Sequence, residues 1–194
     1  MDEKLNALEA IGASIIRGAS FVEQCHAIGR FHAELIRNKE VIWEDDFDNV
    51  VTTVGKNLAL DTYLAGSAYT VVGPYLGLIS SVSYTTGPVA GDTMASHTGW
   101  TEAGGTNAPT YTSPRKTIAW SAASGGSKAT SAALSYAITS TGTVKGAFVV
   151  YGSGALTTID NTAGTLYSSG LFSAPGDRAV VNGDTLNVSY TASL

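Results

Sequence analysis

Residues 29–66 read GRFHAELIRNKEVIWEDDFDNVVTTVGKNLALDTYLAG, and their hydrophobic period changes partway along. From 29 to 47 it is two. Phe31, Ala33 and Leu35 alternate with His32, Glu34 and Ile36, and then Val41, Trp43, Asp45 and Phe47 alternate with Ile42, Glu44 and Asp46. Two alternating runs separated by RNKE predict a β-hairpin, with Asn38 as the turn residue that takes a positive φ. From 48 onward Val51, Val54, Leu58, Leu60, Tyr63 and Leu64 fit a helix, continuous or interrupted near Gly55. Asn49 or Thr52 can cap its start, with Asp48 a further candidate beside it, and Gly66 stands where a glycine ends a helix. Trp43 and Phe47 then share the inward face of the hairpin, and Glu44 and Asp46 face outward.

On the N-terminal side, Leu5, Leu8, Gly12, Ile15, Ala19, Val22 and His26 follow three-four spacing and predict a helix over 2–26. Gly12 and Gly18 each weaken it by up to about 1 kcal/mol. Such a helix needs a covering surface, on its own domain or on a neighbouring chain. On the C-terminal side the chain reads as all-β. Candidate strands are 71–80, 115–122, 128–139, 142–152, 164–173 and 184–193, parted by the turn signals SGG, STG, APGD and NGD. Residues 81–112 form a long, small-residue excursion, the kind of segment that makes functional contacts. The expected architecture is mainly β: an antiparallel β-sandwich or jelly-roll-like domain over 29–194, one short helix after the hairpin, and an N-terminal helical arm over 1–28.

At 194 residues with 44% hydrophobic content, the chain suffices for one domain with an appendage. A net charge of -5 lacks the basic stripe that nucleic acid requires. No apolar run reaches the roughly 18 residues of a membrane span, and MDEKLNALEA lacks the basic-then-apolar pattern of a secretory leader, so neither is expected. A single cysteine, Cys25, leaves no internal disulfide to form. Charge is unevenly spread. Residues 1–65 carry 17 of the 27 charged residues, and 66–194 carry ten amid Ser, Thr, Gly and Ala. A polar but nearly uncharged β surface suits packing against other subunits, or is simply a neutral domain.

Catalytic and metal patterns do not rise above this background. Glu44, Asp45, Asp46 and Asp48 lack the glycine turn and distal Glu of a calcium loop. Carboxylates ahead of a helix are favoured by its dipole. There is no G-x-S-x-G elbow. His97 in GDTMASHTGWTE has Ser96 and Asp92 nearby, but nothing in the spacing gathers them into a triad. Asp92 and Glu102 are the weak candidates for a glycosidase pair. SGGSK at 124–128 lacks the phosphate-loop frame and reads as a hairpin turn. No enzyme activity, cofactor or metal is expected.

The ordered blocks WEDDFDNVVTTVGKNLALDTYLAGSAYT, YLGLISS, AGDTMASHTGWTE, SAASGGSKATSAALSYAIT, GTVKGAFVVYG, GTLYSSGLFS and NGDTLNVSYTASL resemble a family of small virion structural proteins of tailed bacteriophages, from about residue 30 to the C-terminus. The resemblance implies a β-rich virion component made in the bacterial cytoplasm. The implied role is a head decoration (cement) protein on the outer capsid surface, bound where major capsid proteins meet and assembled as a homo-oligomer, with a trimer favoured. A neck, collar or tail accessory protein and a host-glycan-binding β-sandwich are the alternatives. The expected partner contacts are Leu5, Leu8, Ile15 and Val22 of the arm, Trp43 and Phe47 of the hairpin, and the loop aromatics Trp100 and Tyr111. For each aromatic the competing reading is a core side chain.

Overall fold

The computed structural model describes residues 26–64, 72–112, 114–174 and 176–193. The predicted helix over 2–26, with Leu5, Leu8, Ile15 and Val22, lies outside the described residues except for its last position, as does Gly66. The described chain is mainly β, built from two antiparallel sheets and one helix.

The hairpin forms as its alternation requires. β1 (Ile28–Arg37) and β2 (Glu40–Asp48) pair antiparallel, Phe31 opposite Phe47 and Leu35 opposite Trp43. Asn38 and Lys39 both take positive φ, 52° and 70°, the two-residue turn that matches the twist of the flanking strands. A bulge between Leu35 and Ile36 accommodates the extra residue Ile42. The chain then leaves this sheet through β3 (Val50–Val51) and enters α1 (Thr53–Leu64).

The capping residue of α1 is Thr52. Its Oγ1 accepts the Gly55 N–H at 3.0 Å, and its carbonyl accepts the Lys56 N–H at 2.9 Å. Asn49 instead donates its side-chain amide to the Tyr190 hydroxyl at 2.8 Å, which corrects the expectation that Asp48 or Asn49 would cap. Gly55 does not interrupt the helix. A Cβ there would sit 2.4 Å from the Tyr167 carbonyl oxygen, so glycine is what lets the helix lie against the sheet.

The remaining strands are β4 (Tyr75–Ser80), β5 (Thr101–Glu102), β6 (Lys116–Thr117), β7 (Ser127–Ala129), β8 (Leu134–Ala137), β9 (Gly142–Tyr151), β10 (Thr165–Leu171), β11 (Arg178–Val180) and β12 (Thr185–Ser193). The first sheet runs β2-β1-β12-β7, with β8 also on β12; the second runs β3-β10-β9-β4-β5, with β6 on β4 and β11 on β9. The expected strands at 115–122 and 128–139 are shorter than their patterns. Only β6 forms in the first, and the second splits into β7 and β8 around Thr130–Ala133.

Inward side chains of both sheets meet in one core: Phe31, Leu35 and Phe47 from the first, Leu76, Leu78 and Val149 from the second, with Val188 and Tyr190 of β12. The second sheet is also covered on its other face. Ile79, Phe148, Val150 and Leu166 pack there with Met94, Trp100 and Ala155 from the connecting segments. This double burial explains why GAFVV in β9 reads as a continuous apolar run rather than an alternation. The excursion 81–112 is therefore a covering layer with its own buried anchors, Met94 and Trp100.

Candidate functional site

Three places carry chemistry-bearing side chains. The first is the acidic run. Along β2, Trp43 and Asp45 are partly buried and Phe47 is 3% exposed, whereas Glu44, Asp46 and Asp48 face solvent. The inward Asp45 accepts hydrogen bonds from the Ser173 N–H at 2.9 Å and from the Ser173 hydroxyl, and pairs with Arg178 at 3.0 Å. The Arg178 guanidinium lies over the rings of Trp43 and Phe172, 5.3 and 5.5 Å from their centroids. Phe47 and Trp43 both meet Phe172 edge-on. The inward part of the run thus ties the hairpin to the loop before β11.

Outside, Asp46 accepts from His32 Nδ1 at 3.2 Å and lies 3.8 Å from Arg30. These three side chains border an open groove of about 520 Å³ that also touches Ser189, Thr191 and Asn49. Among the described residues, no group of three His, Cys, Asp or Glu is placed to hold a metal ion.

The second place is under the excursion. Trp100 Nε1 donates to Asp92 at 3.0 Å, and the same carboxylate oxygen accepts the Val89 N–H at 3.1 Å. The His97 ring stacks on Trp100 at 4.0 Å, and its Nδ1 lies 3.0 Å from the Trp100 carbonyl. Asp92 and His97 therefore both serve the indole, and the Ser96, His97 and Asp92 grouping is a loop framework.

Beside it lies the most deeply buried ion pair among the described residues. Arg115, 1% exposed, donates Nε and Nη2 to the two carboxylate oxygens of Glu102 at 2.8 and 2.7 Å. It also donates to the carbonyls of Asn161 and Leu156, and the Asp160 N–H completes the carboxylate shell at 2.8 Å. Burial pushes the Glu102 carboxyl above the usual carboxylate range, against the opposing pull of Arg115. A pocket of about 130 Å³ opens over this pair, bordered by His97, Asn107 and Thr162. Glu102 and Arg115 staple the covering loops to the sheet. Burial likewise raises the hydroxyls of Tyr111 and Tyr136, which keeps both protonated.

The third place is the end of the β1–β12 ladder. Arg37 forks onto Asp184 with two bonds of 2.7 Å, and Asp184 also accepts the Val181 N–H at 2.9 Å. The Arg37 hydrogen bond holds the Asp184 carboxyl below its ordinary value.

Trp100, Tyr111 and Phe47 are 2%, 5% and 3% exposed, so the partner-contact expectation for them is corrected: all three rings are spent on the interior. Trp43 is partly covered by the same cluster. Among the described residues, the exposed large apolar side chains are instead Ile28, Val41, Ile42, Leu60, Val82, Val89 and Leu156. Two of them, Val41 and Ile42, stand together next to the hairpin turn. A partial signal for the buried pair was available in the sequence: Glu102 is an isolated carboxylate beside Trp100 in a charge-poor segment, whereas Arg115 stands next to Lys116 and nothing local singles it out. The Asp45–Arg178 pair, 133 residues apart, left no such local trace.

Comparison with protein-family models, with curated proteins and with solved structures found no match.

Proposed function

We propose that this chain is a structural component of a tailed-bacteriophage particle and, within that class, a head decoration protein. In this reading the two sheets form a jelly-roll-like β-sandwich that sits on the capsid surface, bridges major capsid proteins, and assembles as a trimer with residues 1–28 as a docking arm. The reading begins from the family resemblance. One structural observation supports it most: the buried charged and aromatic groups serve the interior, while apolar side chains stand outward at the hairpin tip and on the covering loops. A protein built this way offers contact area more readily than reacting groups. Repeated around a shell, modest contacts gain avidity. The glycan-binding alternative loses its platform, because Trp100 and Tyr111 are interior.

Purified particles, resolved on a quantified gel alongside the major capsid protein, test the proposal. Abundance comparable to the capsid protein supports decoration. Abundance of a single ring moves the protein to the neck or tail. Absence from particles refutes the virion reading. Light scattering on the isolated protein tests the trimer, and a monomer both in solution and on the particle refutes it.

A further inference from the structure

Among the described residues, the outer edge of β2 is unpaired. β2 pairs with β1 and with no other strand among the described residues. The Asn49 N–H bonds to the Gly29 carbonyl in register with that ladder, which fixes its phase. Residues 43, 45 and 47 exchange hydrogen bonds with β1, so Glu44 and Asp46 turn their backbone N–H and C=O groups away from it. Among the described residues no backbone or side-chain group bonds to those outward groups. An edge strand of nine residues is a template for a further strand, and addition of an extended segment to such an edge is a general mode of recognition.

The side chains of β2 choose the occupant. Glu44, Asp46 and Asp48 are exposed, and Glu44 and Asp48 have no ion pair among the described residues. Two copies of β2 laid antiparallel and centred on Asp45 bring Glu44 and Asp46 of each against the other, a destabilising like-charge arrangement. A second copy is thereby disfavoured, and a cationic segment is favoured. Val41 and Ile42, 54% and 47% exposed, add an apolar contact at the turn end of the same strand.

We infer that the free edge of β2 accepts an extended segment of a different protein, with Lys or Arg at alternate positions facing Glu44 and Asp46. The occupant adds a strand to the first sheet, and its apolar end rests on Val41 and Ile42. The inference goes beyond the virion reading and does not depend on it.

The test uses the full-length ¹⁵N-labelled protein and a capped nine-residue peptide alternating Lys with Val. On titration the amide resonances of Glu44 and Asp46 shift saturably, and their hydrogen exchange slows. A Glu-for-Lys peptide leaves both unchanged. N-methylation of the peptide amides that face β2 weakens binding about tenfold or more, because the strand bonds are lost. The double variant Glu44→Lys/Asp46→Lys reverses the preference toward the Glu peptide; both sites are exposed, and an unchanged melting temperature verifies its fold. Failure of the Lys peptide to perturb residues 44 and 46 overturns the inference, as does equal binding of the N-methylated peptide. Slow exchange at both amides before any peptide is added also overturns it, since the edge is then already occupied by residues 1–25 or by a second copy.

Discussion

Replacing Arg115 with Met removes the guanidinium and leaves the Glu102 carboxyl in the interior. The pair is almost fully buried, with side-chain exposures of 0% and 4%. Four donor contacts vanish: two to the carboxylate, one to the Asn161 carbonyl and one to the Leu156 carbonyl. The two carbonyls lose bonds worth about 0.5–1.5 kcal/mol each. The carboxylate keeps the Asp160 N–H and loses its countercharge. Breaking a buried pair from one side costs about 3–5 kcal/mol, a large share of the roughly 5–15 kcal/mol that holds a domain together. Glu102 can escape part of that cost by taking up a proton, since burial already pushes its carboxyl upward. A carboxyl raised on folding binds its proton more tightly in the folded state. Its contribution is therefore full below the unfolded value and is lost as pH rises through the raised one. The deficit of Arg115→Met should accordingly shrink as the pH is lowered from about 8 to about 5. The double variant Arg115→Met/Glu102→Met should recover most of the loss, because apolar replacement of a buried pair is often near neutral. Urea unfolding followed by circular dichroism at several pH values measures all three. A single-variant cost below about 1 kcal/mol, a pH-independent deficit, or a double variant no better than the single would each refute the staple.

Thr52→Ala should cost about 1–2 kcal/mol through loss of the helix cap, and Trp43→Ala should cost more, about 3 kcal/mol, because the ring packs edge-on against Phe172 and under the Arg178 guanidinium; denaturant unfolding of both gives the order. Neither loss should change on adding a chelator. Asp184→Asn should lower the melting temperature at neutral pH, since the wild-type carboxyl is held below its ordinary value by Arg37. Such a contribution is present above the unfolded value of about 3.9 and is lost as pH falls through the folded one, so calorimetry should show the gap closing on acidification. Gly146→Ala should destabilise by about 1–3 kcal/mol or more, because a Cβ there meets the Gly170 carbonyl and the Leu171 Cα across the β9–β10 pairing.

The hairpin, its turn residue and the short helix were legible because each rests on local rules: alternation over Phe31–Leu35 and Trp43–Phe47, Asn38 at the turn, Thr52 before an apolar helical run. What was not legible depends on distance. Periodicity assigns Trp43, Asp45 and Phe47 to one face but does not show that Arg178 and Phe172 come to meet them from the other sheet. Gly55 looked like a possible break because its reason, the Tyr167 backbone, is more than a hundred residues away in the chain. Residues 81–112 read as a contact-making excursion because their composition is small and polar. The few large residues among them, Met94, Trp100 and Tyr111, are the ones that go inside. An aromatic in a glycine- and threonine-rich segment is ambiguous by composition alone, and burial resolves it toward the core.

Placement of the few charges gives the fold a means of fixing its register. In an antiparallel sheet with one buried face a slip of one residue exchanges its two faces, so burial of Phe31, Leu35, Val188 and Tyr190 already favours one register, and the charges add to it. Arg37 and Asp184 occupy the position just beyond the Ile36–Thr185 step of the β1–β12 ladder, and Glu34 meets the Asn187 amide at 2.7 Å within it. Either slipped register breaks the Arg37 fork and leaves the Asp184 carboxylate, which has little exposed side-chain surface, without its partner. Asp45 with Arg178 pins the hairpin to the other sheet in the same way. The carboxylates of Glu44 and Asp48 do none of this: they lie outside both devices, on a nine-residue strand whose outer edge has no neighbour among the described residues. Their position is therefore explained better by what that edge must reject or admit than by the stability of the fold.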